Sequence, residues 1–161
     1  MAAHPAELKR LWAPWRTAFL TKPSAGRCIF CAAKHSRDDR KHLVVARGRR
    51  AFVMLNLYPY NNGHVMVAPI RHVGEFEALT LAEWAEMGRL SQRTMRRIRT
   101  TLRPHGFNMG INLGRVAGAG FPGHLHLHIV PRWNGDTNFM PTIGRTKVIS
   151  QSLDELYRLL R

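Results

Sequence analysis

The sequence predicts a single domain in which antiparallel β-strands combine with helices. Residues 107–113 and 124–129 each alternate apolar with polar side chains, which is the pattern of a half-buried strand. Between residues 84 and 102 the apolar residues instead recur at steps of three and four, the period of an amphipathic helix. With 161 residues, the chain is long enough to bury a core without disulfide support.

The first 26 residues are predicted to form an N-terminal arm, with residues 27–161 as one domain. The arm mixes Trp12, Trp15 and Phe19 with basic residues and ends in a Pro- and Gly-containing break. It has no uninterrupted apolar stretch of the kind that a signal peptide contains. No apolar run approaches the roughly 18 residues that span a bilayer. We therefore expect a cytoplasmic protein that makes no use of a membrane.

Three strands are predicted in the first half of the domain. Residues 43–46 and 51–56 are short strand-like runs, and the turn-like segment RGRR between them indicates a hairpin. A loop rich in Pro, Asn and Gly follows, and residues 64–68 then form a buried strand.

The long helix begins at a capping box formed by Thr80 and Glu83 and ends before Pro104. A second helix near the C-terminus is predicted from the pair Ser152 and Glu155 followed by leucines. Between the helices, a glycine-rich connection links strand 107–113 to the strand at 123–133, so these two strands should pair antiparallel. Asn112 then faces the same side as the histidines of the second strand.

The histidines of residues 123–133, GHLHLHIVPRW, are the main chemical signal. A strand has a period of two, so His124, His126 and His128 share one face and are expected to look outward, while the leucines anchor the other face. A polar strand face without function is disfavoured because His is uncommon in strands. Two functional hypotheses remain: a metal site, or a neutral imidazole that attacks phosphorus while the glycine loop holds phosphate oxygens with its N–H groups.

The formal net charge of +15 favours an anionic partner. A nucleic-acid-binding module is one alternative, although the chain lacks the interleaved aromatic and basic residues that single-strand binders use for stacking. A general preference for Arg across a proteome would also produce this charge. The charge therefore does not say which polyanion is the partner, and we regard nucleic acid as the weaker hypothesis.

The His-x-His-x-His motif and its glycine loop resemble the signature of the histidine triad family of nucleotide hydrolases and transferases. NLYPYNNGHVMVAP, HGFNMGINLG and PRWNGDTNF look most like its diadenosine tetraphosphate phosphorylase branch. The resemblance implies an α+β domain with a five-stranded antiparallel sheet, one long helix and one or more short ones, paired as a homodimer. It also implies that His126 attacks an α-phosphate to form a nucleotidyl-histidine intermediate, which phosphate or water then resolves.

The resemblance also assigns roles to other residues. His128 would contact the phosphate or the leaving oxygen, and His64 would buttress the triad. The implied substrate-binding residues are Asn56 at the ribose, Asn112 at a phosphate oxygen, Leu55 and Met66 at the base, and Trp133 at the second nucleotide, unless Trp133 is a core aromatic. Many members carry Gln and Ser or Thr before the triad, where this chain has GFPG. Phosphate contacts there must come from backbone N–H groups, such as those of Gly118 and Gly120.

Cys28 and Cys31 are spaced C-x-x-C, which in a reducing compartment indicates a metal site or a redox pair. The resemblance implies a zinc knuckle completed by His72 and His124, with His35 as a spare candidate. Four protein ligands leave no open position, so the Zn²⁺ would be structural. We expect no organic cofactor.

The sequence hypothesis is thus an enzyme that cleaves dinucleoside polyphosphates, with diadenosine tetraphosphate as substrate and phosphate or water as acceptor. The alternative within the family is a hydrolase of nucleoside phosphoramidates or adenylyl conjugates. The alternatives of other classes are the nucleic-acid-binding module and a metal hydrolase that uses all three imidazoles of the triad.

Overall fold

The computed structural model describes residues 28–136 and 149–161. The arm predicted for residues 1–26 lies outside this part of the chain. The strands are β1 (Val44–Arg47), β2 (Ala51–Leu55), β3 (Val65–Pro69), β4 (Gly106–Ile111) and β5 (Leu127–Arg132). The helices are α1 (Ile29–His35), α2 (Leu81–Leu102) and α3 (Leu153–Leu160), with a 3₁₀ turn at Phe76–Ala78. None of the helices in the described ranges has the length and apolar character needed to cross a membrane.

The five strands form one antiparallel sheet in the order β1-β2-β3-β5-β4. The α+β class and the five-stranded sheet are therefore confirmed. The strand predicted at residues 123–133 is shorter than expected, because β5 begins only at Leu127. Upstream of it, the backbone N–H of Leu125 donates to the carbonyl of Val73 outside the sheet, at 2.7 Å. His124 and His126 therefore precede the strand, and only His128 belongs to it.

Helix α2 begins and ends as predicted. The Thr80 side chain accepts from the backbone N–H of Glu83, and the Glu83 carboxylate accepts from the backbone N–H of Thr80, which completes the capping box. Arg103 ends the helix in the left-handed region with φ +49°, directly before Pro104. The predicted cap of α3 is also present, since Ser152 Oγ accepts from the N–H of Glu155.

The two faces of the sheet are covered by different helices. On one face, Val53, Val67 and Ile129 pack with residues of α2 and α3 in the larger core. On the other face, Phe30 and Ala33 of α1 pack in a smaller cluster with the side chains of Val44, Phe52, Met54, Met66 and Ala68. The sequence did not predict α1, which is only seven residues long. His128 pairs with Met66 of the smaller cluster, and Phe30 stacks on His124 and His126, so the histidines of the triad lie on the α1 side.

Candidate active site

Four histidines lie buried together on the α1 side of the sheet. His64, His124, His126 and His128 are each at most 8 % exposed. The rings of His126 and His128 meet edge to face with centroids 4.8 Å apart, and those of His64 and His128 are 5.1 Å apart. The prediction that the triad shares a face opposite the leucines is confirmed. The expectation that its imidazoles look outward is wrong, because Phe30 of α1 stacks on two of them.

The proton of His126 has a defined position. Its Nδ1 lies 2.8 Å from the carbonyl oxygen of His124, and a carbonyl can only accept a hydrogen bond. Nδ1 therefore carries the proton, and in the neutral ring the lone pair is on Nε2. Burial lowers the pKa of His126, although the bond to the His124 carbonyl opposes this shift. At neutral pH the site thus presents an uncharged imidazole with a nucleophilic Nε2.

A chain of hydrogen bonds fixes the tautomer of His128. The backbone N–H of Tyr60 donates to Nδ1 of His64 at 3.1 Å, so neutral His64 carries its proton on Nε2. That Nε2–H donates to Nδ1 of His128 at 2.9 Å. Neutral His128 therefore carries its own proton on Nε2. His126 and His128 thus have opposite tautomers, so that Nε2 of His126 carries a lone pair and Nε2 of His128 carries a proton.

Asn56 is tied to the same chain of hydrogen bonds. Its Oδ1 accepts from the backbone N–H of Tyr58 at 2.9 Å, and its Nδ2 lies 3.4 Å from Nδ1 of His64. The ring of Tyr60 stacks on His64 and His128, with centroids 4.7 and 5.7 Å away. The sequence argument did not identify Tyr60. The sequence feature that could have indicated a contact with His64 is the position of Tyr60, four residues before it in a Pro-containing loop.

Cys28, Cys31, His72 and His124 form a cluster that could hold a metal ion. The ligand atoms of all four lie within 4.8 Å of one another. Nδ1 of His124 lies 3.4 Å from Sγ of Cys28, 3.7 Å from Sγ of Cys31 and 3.2 Å from Nδ1 of His72. Sγ of Cys31 lies 3.2 Å from Nδ1 of His72. Tetrahedral Zn²⁺ with ordinary Zn–S and Zn–N bonds separates its ligand atoms by about 3.3–3.8 Å. The four residues therefore fit such an ion, and His35 is not part of the cluster.

His124 is prepared for the role of a metal ligand. Its Nε2 lies 2.9 Å from the carbonyl oxygen of Pro69, so Nε2 carries the proton and the lone pair on Nδ1 faces the thiols. Burial lowers the pKa of His124 to about 4, which keeps the ring neutral. Histidine ligands commonly donate their second N–H to a carbonyl in this way, which fixes the ring orientation. Burial also raises the pKa of the Cys28 thiol, and a bound cation would offset that effect.

Gly74 allows the two histidine ligands to come together. A Cβ atom at this position would lie only 2.5 Å from the carbonyl oxygen of Pro122. Without that atom, the backbone after His72 approaches the backbone before His124 closely enough for Leu125 to bond to Val73. The sequence argument did not assign a function to this glycine.

One of the predicted phosphate contacts, that of Gly118, is not available in the loop as expected. The N–H of Gly118, where φ is +91°, donates to the carbonyl of Arg115 at 2.9 Å and so closes a turn of the loop itself. Gly118 is therefore not a phosphate donor in this conformation, whereas the role of Gly120 stays a prediction. On β4, Gly110 pairs directly with His128, and Asn112 lies just beyond the last strand residue, Ile111. The role of Asn112 also stays a prediction.

The residues predicted to contact the base and the second nucleotide lie in three separate parts of the fold: the two faces of the sheet and the end of α2. Met66 pairs with His128 across β3 and β5 and belongs to the α1-side cluster. Leu55 lies in the larger core on the opposite face, because the strand alternates, and Met54 takes the position on the histidine side. Leu55 is thus not placed to line a pocket beside the triad. The indole N–H of Trp133 donates to the carbonyl of Leu102 at 3.3 Å, a contact that ties it to the end of α2.

The buried His64 predicts a loss of stability in acid. Burial lowers its pKa to about 3, with further contributions from His128 and His126. Below its ordinary pKa of 6.5 the unfolded chain binds a proton that the folded chain excludes, so stability falls as the pH drops from 6.5 towards 3. Urea unfolding at pH 7 and pH 4.5 should show this loss. We expect His64→Gln to reduce the loss by about 2 kcal/mol.

The control for this experiment is His105→Gln. His105 is exposed and is not one of the four buried histidines. It should therefore show the same difference in the free energy of unfolding between the two pH values as the original chain. An equal pH dependence in all three proteins would show that His64 is protonated in the folded state.

Fold and site together define a class of protein. It is a single-sheet α+β domain in which a buried neutral imidazole is held beside a donor imidazole and next to a four-residue cluster that fits a metal ion. Residues 37–135 match the family model described as the HIT domain. The chain belongs to the HIT domain family, whose name refers to the histidine triad.

Known relatives agree with this membership. An AP-4-A phosphorylase from Mycobacterium tuberculosis is 46% identical over 162 residues, which cover 96% of this chain and 83% of the relative. An uncharacterised HIT-like protein from Mycoplasma genitalium is 29% identical and covers 88% of this chain and 96% of its own length. Among solved structures, a Zn-bound histidine triad family protein from Mycobacterium smegmatis aligns with a TM-score of 0.65 and 28% identity, covering 83% of this chain and 90% of that one.

Proposed function

We propose that this protein cleaves diadenosine tetraphosphate, with phosphate as the acceptor. The observation that carries the chemistry is the hydrogen bond from His126 Nδ1 to the carbonyl of His124, because it leaves a neutral Nε2 as nucleophile. The substrate and the acceptor are supported by the 46% identity to an AP-4-A phosphorylase across nearly the whole chain. The net charge of +15 would attract both the polyphosphate substrate and the phosphate acceptor.

The first step is attack by His126 Nε2 on an α-phosphorus. An N–P bond forms, the P–O bond to the bridging oxygen breaks, and ATP leaves with the electron pair of that bond. The ring becomes positively charged, and its Nδ1–H stays on the His124 carbonyl, which stabilises the charge. In this proposal His128, with its proton on Nε2, would donate to the phosphate or the leaving oxygen, and Asn56 would bind the ribose.

The second step releases the nucleotide. A phosphate oxygen attacks the same phosphorus, the N–P bond breaks, and its electron pair returns to Nε2 of His126. The products are ATP and ADP, and the imidazole regains its neutral form. Attack by water in place of phosphate would give AMP. Because the chain has GFPG before the triad, backbone N–H groups rather than side chains would contact the acceptor there.

We also propose that the Cys28, Cys31, His72 and His124 cluster holds structural Zn²⁺. The donor set of two thiolates and two imidazoles is one that zinc prefers, and four protein ligands leave no position for a substrate. When bound, the ion supplies a cross-link between the start of α1 and the segment before β5. The chemistry of the triad is then left to His126 and His128.

We further propose that the protein is a homodimer. Strand β4 is at the edge of the sheet, and exposed apolar side chains lie on it and just beyond it at Met109 and Leu113. An unpaired edge with apolar side chains favours association with a second copy. Light scattering coupled to size-exclusion chromatography should give twice the mass of the chain.

The proposed reaction is tested by product analysis. Diadenosine tetraphosphate is supplied with and without inorganic phosphate, and the nucleotides are separated by chromatography. We expect ATP and ADP, formed only when phosphate is present. AMP and ATP formed at equal rates in both conditions would identify a hydrolase. Turnover of a nucleoside phosphoramidate with no cleavage of diadenosine tetraphosphate would contradict the proposed substrate.

A further inference from the structure

Phe30 connects the metal-binding cluster to the proposed nucleophile. It lies between the two cysteines of the C-x-x-C motif and is 0 % exposed. Its ring stacks on His126 with centroids 4.7 Å apart and an interplanar angle of 31°, and on His124 at 4.9 Å and 34°. A single phenyl ring thus covers one imidazole that faces the thiols and another that carries the proposed nucleophilic nitrogen.

The position of Phe30 depends on α1, and α1 is short. A helix of seven residues is marginal in isolation, so its place on the sheet must come from tertiary contacts. The N-cap, Cys28, has no side-chain hydrogen bond to the first turn. Beyond the small apolar cluster, the cysteines at its start are the groups that would tie α1 to His72 and His124. The helix that carries Phe30 is therefore held by the apolar cluster, by the bond from the Arg47 guanidinium to the Ala33 carbonyl at 2.7 Å and, at its start, by the metal-binding cluster.

The orientation of His126 requires such a support. Its Nδ1–H bond to the His124 carbonyl fixes one edge of the ring, but this bond alone permits the plane to tilt about it. A flat aromatic surface against the ring removes that freedom. A fixed imidazole plane directs the Nε2 lone pair along one line, and misplacement of a reacting atom by about 1 Å can cost 100-fold in rate.

We propose that Phe30 is a positioning residue that transmits the state of the metal-binding cluster to His126. In this proposal the bound cation fixes α1, α1 presses the phenyl ring against the imidazole, and the imidazole is held in the plane needed for attack. The proposal rests on the proposed function for its kinetic consequence only, because the ring orientation exists without substrate.

The kinetic test compares Phe30→Leu with Phe52→Leu. Phe52 is also fully buried in the same cluster, 6.5 Å from Phe30, and makes no ring contact with a histidine among the described residues. Both variants lose similar buried volume, so both should lower the melting temperature by a similar amount. We expect kcat for diadenosine tetraphosphate to fall about 10- to 100-fold in Phe30→Leu only, with KM changed less than about twofold.

Metal removal provides the coupling test. Chelation should lower kcat of the original chain to about the level of Phe30→Leu, and should lower kcat of Phe30→Leu by less than about threefold, because both changes release the same ring. Phe52→Leu should respond to chelation like the original chain. The measurements are made well below every melting temperature. Phe30→Met, whose flexible side chain adapts to the space left by the ring but lacks the flat surface, replaces Phe30→Leu if the latter does not fold.

A readout without substrate separates this proposal from the proposed function. Nitrogen–proton correlation spectra of the imidazoles report the tautomer and order of His126. We expect a sharp Nδ1–H pattern in the zinc-loaded chain and in Phe52→Leu, and a broadened or mixed pattern in Phe30→Leu and after chelation. An unchanged His126 pattern in Phe30→Leu, or a rise in KM with kcat preserved, would overturn the proposal. Absence of turnover in the original chain would contradict the proposed function. The spectra alone would then decide whether Phe30 positions His126.

Discussion

Replacement of His126 by alanine should lower kcat for diadenosine tetraphosphate by about 10⁴-fold or more. The Nε2 lone pair of this ring is the proposed nucleophile, and the neighbouring rings do not offer an equivalent atom in the same place. Nε2 of His128 carries a proton, and Nδ1 of His124 faces the cysteines. The rate is measured by separating ATP and ADP during turnover with excess phosphate.

A labelled nucleotide provides a second measurement of the same prediction. Without an acceptor, the original chain should retain label from the substrate on the protein, and His126→Ala should retain none. His105→Ala is the matched control, because His105 is exposed and distant in sequence from the triad, and it should label and turn over normally. Turnover within tenfold of the original chain in His126→Ala would exclude the nucleotidyl-histidine mechanism.

Loss of the metal-binding cluster should have the second large effect, and mainly on stability. The double variant Cys28→Ser, Cys31→Ser is expected to purify without zinc and to melt about 10 °C lower. A structural zinc contributes several kcal/mol to the free energy of unfolding. Each kcal/mol corresponds to about 2–4 °C in melting temperature for a chain of this size. Its kcat should fall far less than that of His126→Ala. Elemental analysis and thermal unfolding are the measurements.

His72→Ala and His35→Ala form the matched pair for this prediction. Both histidines are exposed, but only His72 belongs to the cluster. We expect His72→Ala to lose zinc and stability and His35→Ala to keep both. Equal zinc content in these two variants would show that His72 is not a ligand. Full stability of the double cysteine variant would show that the cluster does not cross-link the domain.

Local sequence patterns predicted most of the fold, because most of the elements are built from local signals. The alternation at residues 107–113, the capping box at Thr80 and the three- and four-residue steps of α2 depend on neighbours in sequence. Helix α1 was missed because its seven residues carry no amphipathic repeat and its position comes from packing against Met54 and Met66. The start of β5 was also missed, since it depends on the bond between Leu125 and Val73, 52 residues apart.

The candidate site was predicted in its composition but not in its environment. The four residues of the cluster were identified correctly as one group, and His64 does lie against His128. Burial of the triad could not be predicted, because the alternation of a strand says which side chains share a face and not what covers that face. Leu55 was placed beside Met66 from the family resemblance, although alternation along β2 puts Met54, and not Leu55, on the same side of the sheet as Met66.

The proton positions of the buried histidines are set by the main chain. The carbonyls of His124 and Pro69 and the amide of Tyr60 are the partners that fix them, and no side-chain substitution removes a carbonyl. Residues around the triad can therefore diverge during evolution, or be redesigned for another nucleotide, while the same nitrogen keeps its lone pair. Any variant that keeps this backbone conformation should therefore keep the same proton positions on these histidines.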